Sequence, residues 1–256
     1  MSKFLLSFFL VGCLVIAGCA GSASRMEEDR RQADIHLKLA EAHLQADNPS
    51  AALRELLKAV ELDPVNPSVR ASLAQAYQQR RAFTEAEANY LEALKLSGND
   101  PRYENNLANL YLSMEEWDKA IYHFDRAAKN LLFDSTHIAL TGKGYAYLQK
   151  GDYVSALQSF RDASTMMPGF VPAYFYQAEV YRLTGDESLE LATLRRTIDL
   201  APELLPARYR LAVLLLKGDN YQSARQHLEV IINFAPESDE GKMAAELIKT
   251  LPERPL

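Results

Sequence analysis

Five histidines, two cysteines and one lysine set between glycines are the residues of this chain whose chemistry needs testing first. His36, His43, His123, His137 and His227 are scattered, and none stands in His-Glu-x-x-His or in a Cys/His cluster, so a metal-bound water has no ligand set. Thr141-Gly142-Lys143-Gly144 holds a lysine between glycines, but it lacks the earlier glycine and the preceding strand of a phosphate-cradling loop. Close helix packing explains Gly142 and Gly144 better. No Gly-x-Ser-x-Gly elbow presents a nucleophile, and no carboxylate pair is specified for acid and base roles. The expectation is a protein that is not an enzyme, with no catalytic residue, no metal and no cofactor. An enzyme working through dispersed groove carboxylates is kept only as the last alternative.

The cysteines carry a different chemistry. Lys3 precedes an apolar run, Phe4 to Ala17, that reads as a signal-peptide core and is shorter than the roughly 20 residues of a stable membrane span. Ile16-Ala17-Gly18-Cys19 resembles the bacterial lipobox, in which small residues let the signal peptidase reach the bond before the cysteine. Residues 1–18 are then a lipoprotein signal peptide and Cys19 the lipidated first residue, leaving neither a disulfide nor a free thiol. Each buried acyl methylene adds about 0.8 kcal/mol, so several chains anchor permanently. Ala20, rather than Asp, follows; by resemblance to sorted lipoproteins this implies the periplasmic face of the outer membrane. Residues 19–32 read as a flexible tether with a reach of roughly 20 Å.

The elements beyond the tether are set by a repeat. Ala40, Ala74, Ala108, Gly144, Ala178 and Ala212 recur at intervals of 34, 34, 36, 34 and 34 residues. A second small series follows twelve positions later at Ala52, Ala86, Ala120, Ala156 and Ala224, broken by Glu190. Three positions after the first series stand His43, Tyr77, Tyr111, Tyr147, Tyr181 and Leu215, and Pro64, Pro168, Pro202 and Pro236 punctuate the ends. Antiparallel helices approach closely only where each has a nearly bare side, so the small residues mark crossings while the tyrosines, Phe124 and Phe160 fill the grooves. A proline cannot continue a helix and separates one hairpin from the next. This pattern resembles the tetratricopeptide repeat. The resemblance implies an all-α, right-handed superhelical solenoid of about six repeats over 33–237. Residues 238–256 read as a capping helix and tail, with Met243, Leu247 and Leu251 on one line and Ala244 and Ile248 beside it.

A chain of 256 residues has no room for a second domain beside six repeats. Its net charge of −6, with both signs dispersed, offers no basic stretch to neutralise a phosphate backbone, which excludes nucleic acid as the expected partner.

Binding chemistry is expected on the inner, concave side, which the first helix of each hairpin lines. Counted from the small residue, the inner positions are three before and one, four and five after. They give Leu37, Glu41, Leu44 and Gln45 in repeat one, Ala71, Gln75, Gln78 and Gln79 in repeat two, and Asn105, Asn109, Leu112 and Ser113 in repeat three. Repeat four contributes Thr141, Tyr145, Leu148 and Gln149, repeat five Phe175, Glu179, Arg182 and Leu183, and repeat six Tyr209, Val213, Leu216 and Lys217. Amides hold an extended peptide through paired donors and acceptors, while Tyr145, Leu148 and Phe175 seat apolar side chains. The expected ligand is a protein or peptide. For Leu148 and Leu183, packing against the next repeat is the alternative role.

Repeats behind a lipobox and a short linker resemble the type IV pilus biogenesis and stability lipoproteins, the PilF/PilW pilotins. The widened 36-residue interval around Asn130-Leu-Leu-Phe-Asp-Ser-Thr-His137 is a further likeness. The chain departs from that family at Gly142-Lys143-Gly144, where an Asn-x-Gly is expected, and at Glu190. The resemblance implies an outer-membrane chaperone that binds a secretin subunit and promotes its insertion and ring assembly. The alternative is a scaffold for another envelope machine, such as exopolysaccharide export or cell-wall synthesis.

Overall fold

A computed structural model describes residues 2–252 of the chain, with side chains from Ser24 onward. The described residues form thirteen helices and no strand. In chain order they are α1 (Ser2–Gln45), α2 (Pro49–Leu62), α3 (Pro67–Gln79), α4 (Phe83–Ser97), α5 (Pro101–Ser113), α6 (Trp117–Ala128) and α7 (Thr136–Gln149). They continue with α8 (Tyr153–Met166), α9 (Val171–Thr184), α10 (Glu187–Leu200), α11 (Leu205–Lys217), α12 (Tyr221–Phe234) and α13 (Asp239–Lys249). Two compact units divide them, Met1–Met114 with α1 to α5 and Glu115–Leu256 with α6 to α13. In each unit a helix packs on the next in sequence.

The small-residue series does what its spacing demands. Ala40, Ala74, Ala108, Ala178 and Ala212, and Ala52, Ala86, Ala120, Ala156 and Ala224, have no accessible surface. Gly144 lies against the Phe160 ring, where a Cβ would come within 2.6 Å, and a Cβ at Gly142 would overlap Phe124. Phe124 and Phe160 are themselves fully buried. These two glycines are packing residues, as expected.

A second periodicity appears in the turns inside the hairpins. Asp47, Arg81, Glu115, Gly151, Gly185 and Asp219 all have positive φ, between 52° and 81°. Each stands seven residues after the small residue of its repeat. The N–H of the following residue donates to the carbonyl four residues before the turn: Asn48 to His43, Ala82 to Tyr77, Asp152 to Tyr147, Asp186 to Tyr181 and Asn220 to Leu215, at 2.8–3.0 Å. The left-handed residue thus closes the first helix and aims the chain into the second.

At the N-terminus α1 runs through the whole of residues 19–32, the segment expected to be a flexible tether, so that expectation is corrected to helix. Glu28 accepts from Arg31 at 2.5 Å and from Gln32 at 2.9 Å, pairs three and four residues apart that favour helix. The lipobox-like Ile16-Ala17-Gly18-Cys19, with Cys19 as the expected lipid attachment point, and Cys13 lie outside the described side chains.

At the C-terminus Ser238 caps α13, its Oγ accepting from the Gly241 N–H at 3.0 Å. Ala244 and Leu251, with Leu247 and Ile248, close over Leu228 and Ile231 of α12. Met243 points outward instead, so the apolar face of α13 is rotated by one residue from the expected line.

Candidate functional site

Each unit carries a hollow built largely from first helices. In the first unit, a hollow of about 470 Å³ is lined by Gln75, Gln78 and Gln79 of α3, Tyr90 of α4, and Asn106, Asn109 and Ser113 of α5. The Tyr90 hydroxyl donates to Gln78 Oε1 at 3.4 Å, Gln78 Nε2 donates to Ser113 Oγ at 3.2 Å, and Ser113 Oγ donates to the Asn109 carbonyl at 3.0 Å. Asn109 Nδ2 in turn donates to the Asn105 carbonyl at 2.9 Å. Tyr90 is buried, and burial pushes its phenol well above the usual range, so it stays a neutral donor. No residue of this lining is charged. Its side chains offer both donors and acceptors, the set that matches main-chain amides of an extended segment.

In the second unit, Arg182 of α9, Glu190 of α10, and Tyr209, Arg210, Val213, Leu214 and Lys217 of α11 line a smaller hollow of about 190 Å³. Arg210 organises it. One guanidinium nitrogen lies 3.0 Å from Glu179, and the other lies 3.0 Å from Glu190 and donates to the Ala178 carbonyl at 3.2 Å. Its guanidinium also stands 5.5 Å from the centre of the Phe175 ring, a cation–π arrangement. Glu179 accepts a second ion pair from Arg182 at 2.6 Å. The Arg182 hydrogen bond, with the nearby Arg210 charge, holds the Glu179 carboxyl below its ordinary range against the opposing effect of burial. Phe175 and Tyr145 both pack edge-on to Tyr176, at 6.0 and 5.5 Å between ring centres.

The structure therefore brings Gln75, Gln78 and Asn109 together in one hollow and Arg182 and Tyr209 in the other, with Phe175 and Glu179 braced behind Arg210. Leu112 is half-buried outside the first lining, and Asn105 contributes its carbonyl rather than its amide, whose Oδ1 is buried. Leu148 takes its alternative role: it is only 8% exposed and packs in the core with Ala156, Phe160 and Val180, the last from the next repeat. Leu37 and Leu44 of the first repeat, also inner by register, are likewise buried, in a core with Leu53 and Leu56.

The repeat register does not predict Asn106, Arg210 or Tyr90 on these walls. Asn106 and Arg210 each precede the small residue by two, not three. The signal is nonetheless present, since that position lies three residues before the inner Asn109 or Val213 and hence on the same helix face. Tyr90 comes from a second helix, outside the first-helix positions expected to line the inner side. Among the described residues no group of three metal-ligating side chains occurs, and no helix is long and apolar enough to cross a membrane.

Comparison with known proteins agrees with this architecture. Family models described as tetratricopeptide repeat match residues 37–101 and 105–169, and a further one matches 206–238. Superkiller protein 3 of Schizosaccharomyces pombe is 25% identical over 196 residues, covering 74% of this chain but 14% of that protein. The type IV pilus assembly protein PilF of Pseudomonas aeruginosa is 24% identical over 160 residues, 61% of this chain and 62% of PilF. The chain thus matches less than two thirds of the length of either relative. Among solved structures, P. aeruginosa PilF superposes with a TM-score of 0.72 at 18% identity, covering 87% of this chain and 99% of PilF. PilW, a widely conserved type IV pilus biogenesis factor, superposes with a TM-score of 0.73 at 19% identity, covering 83% and 98%. YrrB, a repeat protein with an unusual peptide-binding site, gives 0.55 at 20% identity, covering 72% and 94%. Repeats of this kind bind protein or peptide partners. With its matches spanning more than half of its length, the chain belongs to the tetratricopeptide repeat family, as a helical scaffold whose fold is that of PilF and PilW.

Proposed function

We propose that this chain is a pilotin: a lipid-anchored scaffold on the periplasmic face of the outer membrane that receives a secretin subunit and assists its assembly for type IV pilus biogenesis. The observation that carries the reading is the likeness of fold to PilF and PilW over 99% and 98% of their lengths. The lipobox-like Ile16–Cys19 supports the membrane location. In this reading the two hollows hold extended segments of an unassembled subunit, and that grip keeps exposed strand edges from pairing with other copies. Lipid at Cys19 confines the complex to the membrane and raises the effective concentration of the bound subunit there.

The test is an immunoblot for heat-resistant secretin multimers in the outer membrane of a strain lacking the gene, complemented with wild type or Cys19→Ala. Multimers are expected to vanish on deletion, to return with wild type, and to be reduced or mislocalised with Cys19→Ala. Unchanged multimers in the deletion strain would overturn the pilotin reading and leave a scaffold for another envelope machine.

A further inference from the structure

One turn breaks the pattern of the others. Those after α2, α4, α8, α10 and α12 run over 63–66, 98–100, 167–170, 201–204 and 235–238, three or four residues each, built on a proline or a glycine. The turn between α6 and α7 spans 129–135, Lys-Asn-Leu-Leu-Phe-Asp-Ser, with neither. At its tip Leu131 and Leu132 are 101% and 87% exposed.

The display is built. Asn130 Oδ1 accepts from the Leu132 N–H at 2.9 Å, and the Asn130 carbonyl accepts from the Phe133 N–H at 3.1 Å. Phe133 is buried, and its carbonyl accepts from the hydroxyl of the buried Thr136 at 2.6 Å. Phe133 and Thr136 thus anchor the turn in the unit while the two leucines stand out from it. Behind them, Tyr122 and Arg126 share one exposed face of α6, and Lys129, three residues on, continues that face as the first residue of the turn. The Arg126 guanidinium lies 5.7 Å from the Tyr122 ring centre, and Lys129 pairs with Asp125 at 2.6 Å.

We propose that this turn dips into the surface of an anionic lipid bilayer. Leu131 and Leu132 enter the acyl boundary to a depth of about 5–10 Å, while Arg126 and Lys129 meet the headgroups. The shape selects lipid over a protein pocket. A protruding pair of adjacent leucines presents apolar surface on several sides at once, which a fluid acyl layer takes up whole and a single pocket does not. The residues behind suit the headgroup layer, where a tyrosine ring and long basic side chains keep their polar ends in water. Insertion of the turn does not depend on an acyl group at Cys19.

The test uses the whole chain carrying Cys13→Ser and Cys19→Ser, with a nitrobenzoxadiazole fluorophore attached through Leu132→Cys. It is reconstituted into vesicles of phosphatidylethanolamine and phosphatidylglycerol, where the apolar N-terminal segment keeps the chain on the lipid. A control carries the fluorophore through Val154→Cys, exposed in the first turn of α8 beyond the far end of α7, a 14-residue helix about 21 Å long. At position 132 the emission is expected to shift to the blue and to be quenched by lipids brominated in the acyl chain. Arg126→Glu/Lys129→Glu weakens both effects, and the fluorophore at 154 stays in water throughout. A fluorophore at 132 as wet as that at 154 overturns the proposal. So does one that dries only when a protein partner is added, which would make the turn a protein contact.

Discussion

Glu190 lies 3.0 Å from the guanidinium of Arg210, twenty residues on, at a position where every other repeat has alanine. Glu190 is 5% exposed, buried at a position that a methyl group fills elsewhere. Arg210 crosses from α11 to meet it and is gripped by Glu179 of α9 as well. One departure from the small-residue series thereby ties three consecutive helices together and sets the polar wall of the second hollow.

Removing one partner of this pair strands the other. Arg210→Met leaves Glu190 buried without its cation, and the second unit is expected to lose about 3–5 kcal/mol in urea unfolding. Glu190→Ala restores the usual alanine and leaves Arg210 with Glu179, so its loss is smaller. The double variant recovers most of the deficit, because a buried ion pair adds little over well-packed apolar groups. A double variant as unstable as Arg210→Met alone contradicts the account.

Glu179 gives a pH signature. Its carboxyl is held below the ordinary value of 4.5, first by the Arg182 hydrogen bond and then by the Arg210 charge. A depressed acid contributes stability that is complete above its unfolded value and is lost as pH falls through the lower folded value. Carboxylate NMR titration should place Glu179 below 4.5, and Arg182→Ala should move it upward. An unmoved titration would remove Arg182 as the main cause.

Gly144→Ala places a methyl against the Phe160 ring, 2.6 Å from its nearest carbon. Such overpacking costs about 1–3 kcal/mol. Phe160→Leu in the same chain opens the space, so denaturation midpoints should show the double variant losing less than the sum of the two single changes.

The hairpin turns separate backbone from side-chain effects. Gly185 has φ 81° and open space where a Cβ would stand, so Gly185→Ala meets only the backbone penalty, about 1–2 kcal/mol. Arg81 holds the same conformation at φ 61°, and Arg81→Gly should stabilise the first unit by up to about that amount in the same assay.

Legibility of the fold in the sequence varies with the kind of force involved. The alanine series is plain because steric exclusion at a helix crossing admits few residue types. The turn series from Asp47 to Asp219 is hidden, since only Gly151 and Gly185 of its six members are glycine, the residue type that marks positive φ in a sequence. Glu190 stands out as an exception, but its partner does not, because a contact from α10 to α11 follows no local spacing. The repeat register sets the inner face one position off on its N-terminal side, which hides Asn106 and Arg210. It leaves Leu148 open between groove and core, because periodicity gives the face of a helix but not which neighbouring side chains cover it.

The most direct test of the binding account is site-specific photocrosslinking in cells, with a benzophenone amino acid at Asn109 in the uncharged hollow or at Leu91, exposed on α4. The account predicts a secretin adduct from position 109 and none from position 91. Secretin adducts from 91 alone, or a secretin that crosslinks at neither position, would contradict it.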